Sequence, residues 1–382
     1  MDNTVLRTWA EVRPDNLVHN MNVIRGSLPA GTKFLGVVKA DAYGHGAVEA
    51  ARALERGGAD YLAVACLSEA LELRRAGISL PVLILGPTPA EAVPALLAQG
   101  ITQALGSPEA AAAYAAAVRA AGASAPLRVH LKLDTGMSRT GFAWQDAEAA
   151  AAACRLPELD VEGVFTHFAA SDMPEDPEAV AYTHTQLRRF QEALAALDAR
   201  HIRFRLRHCA NSGAVLYYPQ ETAMDLVRPG IALYGYGDAA HRLDLRPCMS
   251  LKTRVAAVQT YPAGTRIGYG GTYVTERASR IGVLPVGYAD GLHRALSNRC
   301  AFHTAGGPAP LRGRVCMDLC MVDLTRLPEV GVGSEVEIFG THNPLEPLAE
   351  AAGTISYELL CAVSPRVPRF YLTGGASAVQ EP

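Results

Sequence analysis

The sequence predicts an α/β protein, an N-terminal (β/α)8 barrel followed by a mainly antiparallel β domain. Three observations predict it. Short apolar runs recur through the first two-thirds of the chain. Helix-forming stretches lie between most of them. After Gly237 the helical stretches give way to runs punctuated by Gly and Pro. A length of 382 residues suits one large and one smaller domain, at roughly 100–200 residues each.

The predicted barrel strands, in order, are Lys33–Val38, Asp60–Ala65, Val82–Gly86, Ile101–Leu105, Leu127–Leu133, Val161–His167, Leu206–Cys209 and Asp225–Tyr234. Each is short and apolar, as a parallel strand covered on both faces should be. Between them, Glu109–Ala121 and Ala147–Arg155 are dominated by alanine, the strongest helix former. A low-complexity tract is the other reading of those two. Ser107 before Pro108 and Ser68 before Glu69 read as helix starts. About eight strand–helix units in roughly 240 residues is the signature of the barrel; an open doubly wound sheet is the rival. In the second part, Leu251–Val258, Ile281–Val286 and Glu335–Phe339 are separated by Gly/Pro turns rather than helices. The boundary segment Gly237–Pro247 is polar, and Gly374–Pro382 reads as a loose tail.

Hydrophobic residues make up 49% and charged residues 19%, enough to build a core. A net charge of −3 gives no basic excess for a nucleic-acid backbone. No apolar run reaches the roughly 18 residues of a membrane span, and MDNTVLRTWAEVR does not read as a signal segment. Eight scattered cysteines without a CxxC pair read as reduced thiols, with neither a disulfide framework nor a metal site expected. These features predict a cytoplasmic protein.

Lys39 follows FLGVV, at the C-terminal end of a predicted barrel strand, where barrel active sites lie. Desolvation there would lower its pKa and suit Schiff-base chemistry or proton abstraction. A buried stem with the ammonium in water is the alternative. The loop Tyr43-Gly44-His45-Gly46 leaves space for a ligand, or is a tight turn. Arg228-Pro229-Gly230-Ile231 ends a later strand and offers backbone N–H groups to a phosphate. Asn211-Ser212-Gly213 supplies a hydroxyl beside a helix start, or is an ordinary N-cap. His167 reads as a core histidine or a catalyst, Arg139 as a carboxylate clamp or a surface residue. Tyr269, among glycines, reads as a turn tyrosine. Cys316-Met317-Asp318 carries no signal alone.

Val37-Val38-Lys39-Ala40-Asp41-Ala42-Tyr43-Gly44-His45-Gly46 resembles the pyridoxal-phosphate attachment signature of alanine racemases, fold-type III pyridoxal-phosphate enzymes. LDTGMSRTG, THFAASD, NSG, VRPGIALYG, IGYGGTY, PVGYADG and GRVCMD resemble further family segments, in family order. The resemblance implies a homodimer with shared active sites, using pyridoxal 5′-phosphate to interconvert L- and D-alanine for peptidoglycan. It implies residues 1–10 as a strand packing with the C-terminal domain, 11–238 as the cofactor-binding barrel and 239–382 as the β-rich domain. Lys39 would hold the cofactor and serve as base on one face, with Tyr269 the base on the other. Arg228 would face the pyridine nitrogen, with His167 supporting it and linking it to Tyr269. Tyr43, Asn211, Ser212, Gly230, Ile231 and Tyr357 would complete the cofactor site. Arg139, Met317 and Asp318 would bind substrate. Lys132 matches a lysine carbamylated in some members. Asp172, Tyr288, Arg294, Arg314 and Ile355 would line the entry corridor. Leu319 stands where a glutamine is common, and Ser171 precedes Asp172 in a variable stretch.

Two other classes fit less well. A non-catalytic pyridoxal-phosphate carrier needs neither the β domain nor Tyr269. A related decarboxylase should face the pyridine nitrogen with an acid, where this chain has Arg228. A broad-spectrum or serine-preferring racemase stays open, since a methyl-sized difference is worth only about 1–3 kcal/mol.

Overall fold

The computed structural model describes residues 7–237, 242–373 and 376–379, the last four by backbone alone. Strand β1 (Thr8–Val12) precedes the barrel. The barrel strands are β2 (Lys33–Val37), β3 (Tyr61–Val64), β4 (Val82–Ile84), β5 (Ile101–Leu105), β6 (Leu127–Asp134), β8 (Leu159–Phe165), β9 (Leu206–His208) and β10 (Leu226–Val227). The short β7 (Phe142–Ala143) lies beside β6. Every ladder among them is parallel, in the order β10-β2-β3-β4-β5-β6-β8-β9. Two backbone hydrogen bonds close the circle between β10 and β9, Asp225 N–H to the Arg207 carbonyl at 3.1 Å and Arg228 N–H to the Ala210 carbonyl at 2.9 Å. The sequence-predicted barrel is thus present, with strand ends shifted by a few residues, except that the expected strand Asp225–Tyr234 is a strand only at Leu226–Val227 and a 3-10 turn at Ile231–Tyr234.

Local chemistry places the helices. Ser107 caps Pro108–Ala120, its hydroxyl accepting from Ala110 N–H at 3.2 Å, with Pro108 fitting the first turn. Ala147–Cys154 is the second alanine-rich helix, capped by Asp146. Ser68 is not a cap: that helix is Leu67–Arg75 and begins after Cys66. Glu69 explains the difference. Its carboxylate accepts from the N–H groups of Ala65 and Ala40, both at 2.7 Å, and so ties together the loops after β3 and β2.

The second part holds β11 (Met249–Arg254), β12 (Ala257–Tyr261), β13 (Arg266–Ile267), β14 (Tyr273–Val274), β15 (Ser279–Leu284), β16 (Ala301–Thr304), β17 (Gly307–Pro310), β18 (Cys320–Asp323), β19 (Glu335–Phe339), β20 (Arg369–Thr373) and β21 (Ala376–Val379). One sheet runs β17-β16-β19-β11-β1-β20-β21, antiparallel except where β1 meets β20. Trp9 of β1 is fully buried in this part, under the Arg254 guanidinium. β12-β15-β18 form a smaller antiparallel sheet.

Three sequence expectations need correction. The run Leu251–Val258 is broken into β11 and β12, which belong to different sheets. Helices Leu345–Ala352 and Ser356–Ala362 lie where only turns were expected. Within Gly374–Pro382, Ala376–Val379 pairs with β20 instead of trailing loose, and 374, 375 and 380–382 lie outside the described residues. So do 238–241 of the boundary segment.

Candidate active site

The C-terminal ends of the barrel strands surround one cavity. Lys39, Tyr43, Lys132, Arg139, His167, Asp172, Asn211, Ser212, Arg228, Gly230, Ile231 and Tyr357 all line it. Gly213 of the Asn211-Ser212-Gly213 segment lies in its wall, and residues with no sequence signal complete it, among them Leu85 and Phe165.

Lys39 opens a segment that the sequence suggests only as a loop or tight turn. Ala40, Asp41, Ala42 and Tyr43 all lie at φ of 52–53°, one turn of left-handed helix. That conformation costs roughly 1–2 kcal/mol per non-glycine residue, so neighbours must hold it. Glu69 takes Ala40 N–H, and the Asp41 carboxylate takes Ala47 N–H at 2.7 Å. Gly44, at φ +79°, closes the turn where a β-carbon would lie 2.4 Å from the Leu360 carbonyl oxygen. The turn carries Tyr43 to the next part of the site. Burial, then the charge of Arg139, lowers the Lys39 pKa.

The loops after β9 and β10 form a small polar cradle. Asn211 caps Ser212–Tyr217, accepting from Ala214 N–H at 3.1 Å and from the Ser171 hydroxyl at 2.7 Å. The Ser212 hydroxyl oxygen accepts from Gly230 N–H at 2.8 Å and Ala232 N–H at 3.3 Å. A β-carbon at Gly230 would lie 2.4 Å from the Tyr43 hydroxyl, so only glycine lets that hydroxyl stand against the loop. Hydroxyls beside a backbone turn of this kind suit a phosphate.

The floor is cationic. Arg228 is buried, donating from one nitrogen to His208 Nδ1 at 2.8 Å and from the other to the Thr166 carbonyl at 2.8 Å. His167 Nδ1 lies 3.4 Å from the same guanidinium. Burial, then Arg228, pushes His167 down to about 3, so it is neutral at physiological pH. Burial lowers Arg228 to about 10, which leaves it a cation there. Lys132 is buried, donates to the Thr140 hydroxyl and is lowered to about 8 by burial, then by Arg139 and Arg228. Phe165 lies beneath Arg228 and Lys132 at 5.2 and 6.0 Å.

The remaining expected residues are elsewhere in this chain. Ile355 lines a second cavity that shares Asp172, Ser212, Ile231 and Tyr357 with the first. Tyr269, Tyr288 and Met317 stand on the β domain, exposed to 71%, 44% and 54%. Leu319 is exposed beside them, and Asp318 is tied to Arg366 at 2.8 Å. Arg314 backs the glycines around Tyr269, its guanidinium carbon 3.5 Å from where a Gly270 β-carbon would fall, and Arg294 lies in the 3-10 turn Arg294–Leu296. The structure therefore brings twelve of the expected residues to the barrel mouth and leaves Tyr269 outside it.

The fold and the mouth define a barrel enzyme with a reactive lysine at a strand end and an anion cradle opposite. Comparison with known proteins identifies which. The family models for the alanine racemase N-terminal and C-terminal domains match residues 12–238 and 248–371. The alanine racemase of Desulfovibrio desulfuricans is 45% identical over 95% of this chain and 98% of its own length. Alanine racemase 1 of Clostridium acetobutylicum is 41% identical over 96% of both. The solved alanine racemase of Clostridium difficile superposes with a TM-score of 0.91 at 37% identity, covering 98% of both chains. A complex of that enzyme with cycloserine gives a TM-score of 0.89. The chain belongs to the alanine racemase family.

Proposed function

We propose that this racemase acts on alanine at the barrel mouth with pyridoxal 5′-phosphate, using Lys39 and the Tyr269 of a second copy of the chain as opposed bases. One observation carries the reading: Lys39, Arg228 and the Ser212–Gly230 cradle converge on one cavity, while Tyr269 stands exposed outside it. The cradle fits the cofactor's phosphate: the Tyr43 and Ser212 side chains line the cavity with Gly230 and Ile231, and Gly230, without a β-carbon, lets the Tyr43 hydroxyl stand against its loop. Lys39 would hold the cofactor covalently. Tyr43, Ser212, Gly230, Ile231 and Tyr357 would hold the phosphate, with Asn211 and His167 beside them, and Arg228 would face the pyridine nitrogen. When bound, the cofactor withdraws electrons from the substrate α-carbon and makes its proton acidic.

The chain's own groups do the rest. Lys39, shifted toward the neutral amine by burial, can take or return the α-proton on one face. Tyr269 answers on the other, so inversion needs no long swing of one base. Arg228 remains a cation and is too weak an acid to hand a proton to the pyridine nitrogen, which keeps electron withdrawal weak and disfavours transamination. Arg139 would clamp the substrate carboxylate, with Met317 and Asp318 completing the grip from the partner copy. Asp172, Tyr288, Arg294, Arg314 and Ile355 would line entry. The cell-level reading is a cytoplasmic supply of D-alanine for peptidoglycan.

Complementation tests the shared site. Lys39→Ala and Tyr269→Phe are each expected to be strongly impaired. If each site takes its barrel from one chain and Tyr269 from the other, a mixed dimer has one intact site. Random mixing makes about half the dimers mixed, so roughly a quarter of all sites should recover. The variants are unfolded and refolded together, exchange is proved by tag pull-down, and D-alanine formation is followed by chiral chromatography. Proven exchange without recovery would place Tyr269 in its own chain's site or remove it from catalysis.

A further inference from the structure

We propose that Glu162 is a positioning residue for Arg228, acting from the N-terminal side of the barrel through a one-way hydrogen-bond chain across two neutral histidines. The inference rests on the proposed role of Arg228 for its catalytic consequence, and on geometry alone for the chain itself.

The chain runs through the barrel interior. An Arg228 nitrogen lies 2.8 Å from His208 Nδ1. His208 Nε2 lies 2.8 Å from His130 Nδ1. His130 Nε2 lies 3.5 Å from Glu162 Oε2. Both of these last two atoms are buried, and among the described residues neither has a hydrogen-bond partner. They face one another at the end of the chain.

The two ends fix its direction. A guanidinium only donates and a carboxylate only accepts. His208 Nδ1 must therefore accept from Arg228, which places its proton on Nε2. That proton is donated to His130 Nδ1, and the His130 proton then sits on Nε2, directed at Glu162. Every imidazole atom has one assigned role, and no proton is shared ambiguously. Burial favours the neutral form of both rings; at His130 the facing Glu162 carboxylate opposes this without reversing it, and at both rings the Arg228 charge adds to it.

The surroundings are built for this arrangement. Barrel interiors are normally filled by branched apolar side chains, and buried polar groups are costly unless all are satisfied. The β6–β8 register shifts between Val129 and His130, and brings His130 opposite Gly163. A β-carbon on Gly163 would fall 2.8 Å from His130 Nδ1 and Cε1, so the glycine reserves the space for the ring. Phe165 stacks on His208 with centroids 4.9 Å apart and planes 5° from parallel, fixing the second ring. Phe165 also lies under Arg228. Glu162 is held in turn by the Tyr61 hydroxyl at 3.1 Å, and faces Arg128 and Arg205 at 3.7 and 3.8 Å. The anion is thereby set by the outer end of the barrel, and its polarity is delivered to the guanidinium at the mouth.

The test uses the purified holoenzyme with ¹⁵N-labelled histidine, the two rings assigned from His130→Gln and His208→Gln. In the wild type both rings should be neutral with the proton on Nε2. An imidazolium, or a proton on Nδ1 of either ring, overturns the proposal without any variant. In Glu162→Gln the Arg228 end still sets both tautomers, but a neutral amide oxygen is a weaker acceptor than a carboxylate, so the ¹⁵N shift of His130 Nε2 should move. Positioning is then read from kinetics: kcat should fall about 10- to 100-fold, the range for misplacing a group near the chemistry, with KM within about twofold. Glu162→Asp should recover part of both signals. Arg205→Ala, which removes an ion pair of Glu162 and leaves the chain, should change neither that shift nor kcat. An unmoved His130 Nε2 shift in Glu162→Gln removes Glu162 from the chain. A moved shift with unchanged kcat overturns the positioning role, provided Arg228→Lys is itself impaired. If Arg228→Lys is fully active, the proposed role of Arg228 fails instead.

Discussion

Lys132 offers the sharpest quantitative test of the mouth. Burial among cations lowers it to about 8 from an ordinary 10.5. At pH 7.5 about a quarter of such amines are neutral, against roughly one in a thousand for an ordinary lysine, an enrichment of about 240-fold. Only the neutral amine attacks CO2. The N–C bond forms, a proton leaves to solvent, and a cation near Arg139 becomes an anion able to pair with it. The stability sign follows from linkage. Lys132 is a base whose pKa falls on folding, so below pH 8 both states carry the proton and the folded state bears a penalty of about 3 kcal/mol. That penalty fades as pH rises from 8 to 10.5, and carbamylation removes it at neutral pH. The assay is ¹³C NMR of the enzyme in ¹³C-bicarbonate, with thermal unfolding in parallel. One protein-borne carbamate signal is expected, absent in Lys132→Met, together with a bicarbonate-dependent rise in Tm that the variant lacks. A wild type with no such signal in saturating bicarbonate would refute the argument.

Three further outcomes are expected. Ser212→Ala removes the acceptor for two backbone N–H groups and a hydroxyl for the phosphate, and should weaken cofactor binding by about tenfold at a cost near 1–2 kcal/mol, measured by equilibrium dialysis. Gly44→Ala forces a β-carbon to 2.4 Å from the Leu360 carbonyl at positive φ, and should cost at least about 2 kcal/mol in urea unfolding, with loss of soluble protein in the severe case. Ser107→Ala removes a helix cap that does not line the cavity, and should lower stability by about 1 kcal/mol while leaving kcat unchanged.

What could be read from the sequence divides along physical lines. Barrel strands were legible because each is an apolar run bounded by breakers, and the mouth followed because loops after parallel strands converge there. Lys39, Arg228 and Ser212 were therefore placeable from position, and the family segments supplied their roles. The left-handed turn at Ala40–Tyr43 was not legible, since Ala and Tyr carry no preference for positive φ; its stability lies in Glu69, 29 residues from Ala40. In the sequence Glu69 only marks a helix start after Ser68, and only the fold shows that its second oxygen reaches another strand's loop. His130, His208 and Glu162 were invisible for a related reason. They sit inside runs that read as ordinary buried strands, and their chemistry exists only because three strands bring them into line. Gly163 was the one available signal, a glycine inside an apolar strand, which marks close approach by something bulky. Tyr269 is the converse case. Its glycine-rich segment is legible, yet in one chain it stands exposed and away from Lys39. The proposed shared site accounts for a tyrosine so placed: exposed on the β domain and outside its own chain's cavity, it is free to meet the Lys39 of a second copy.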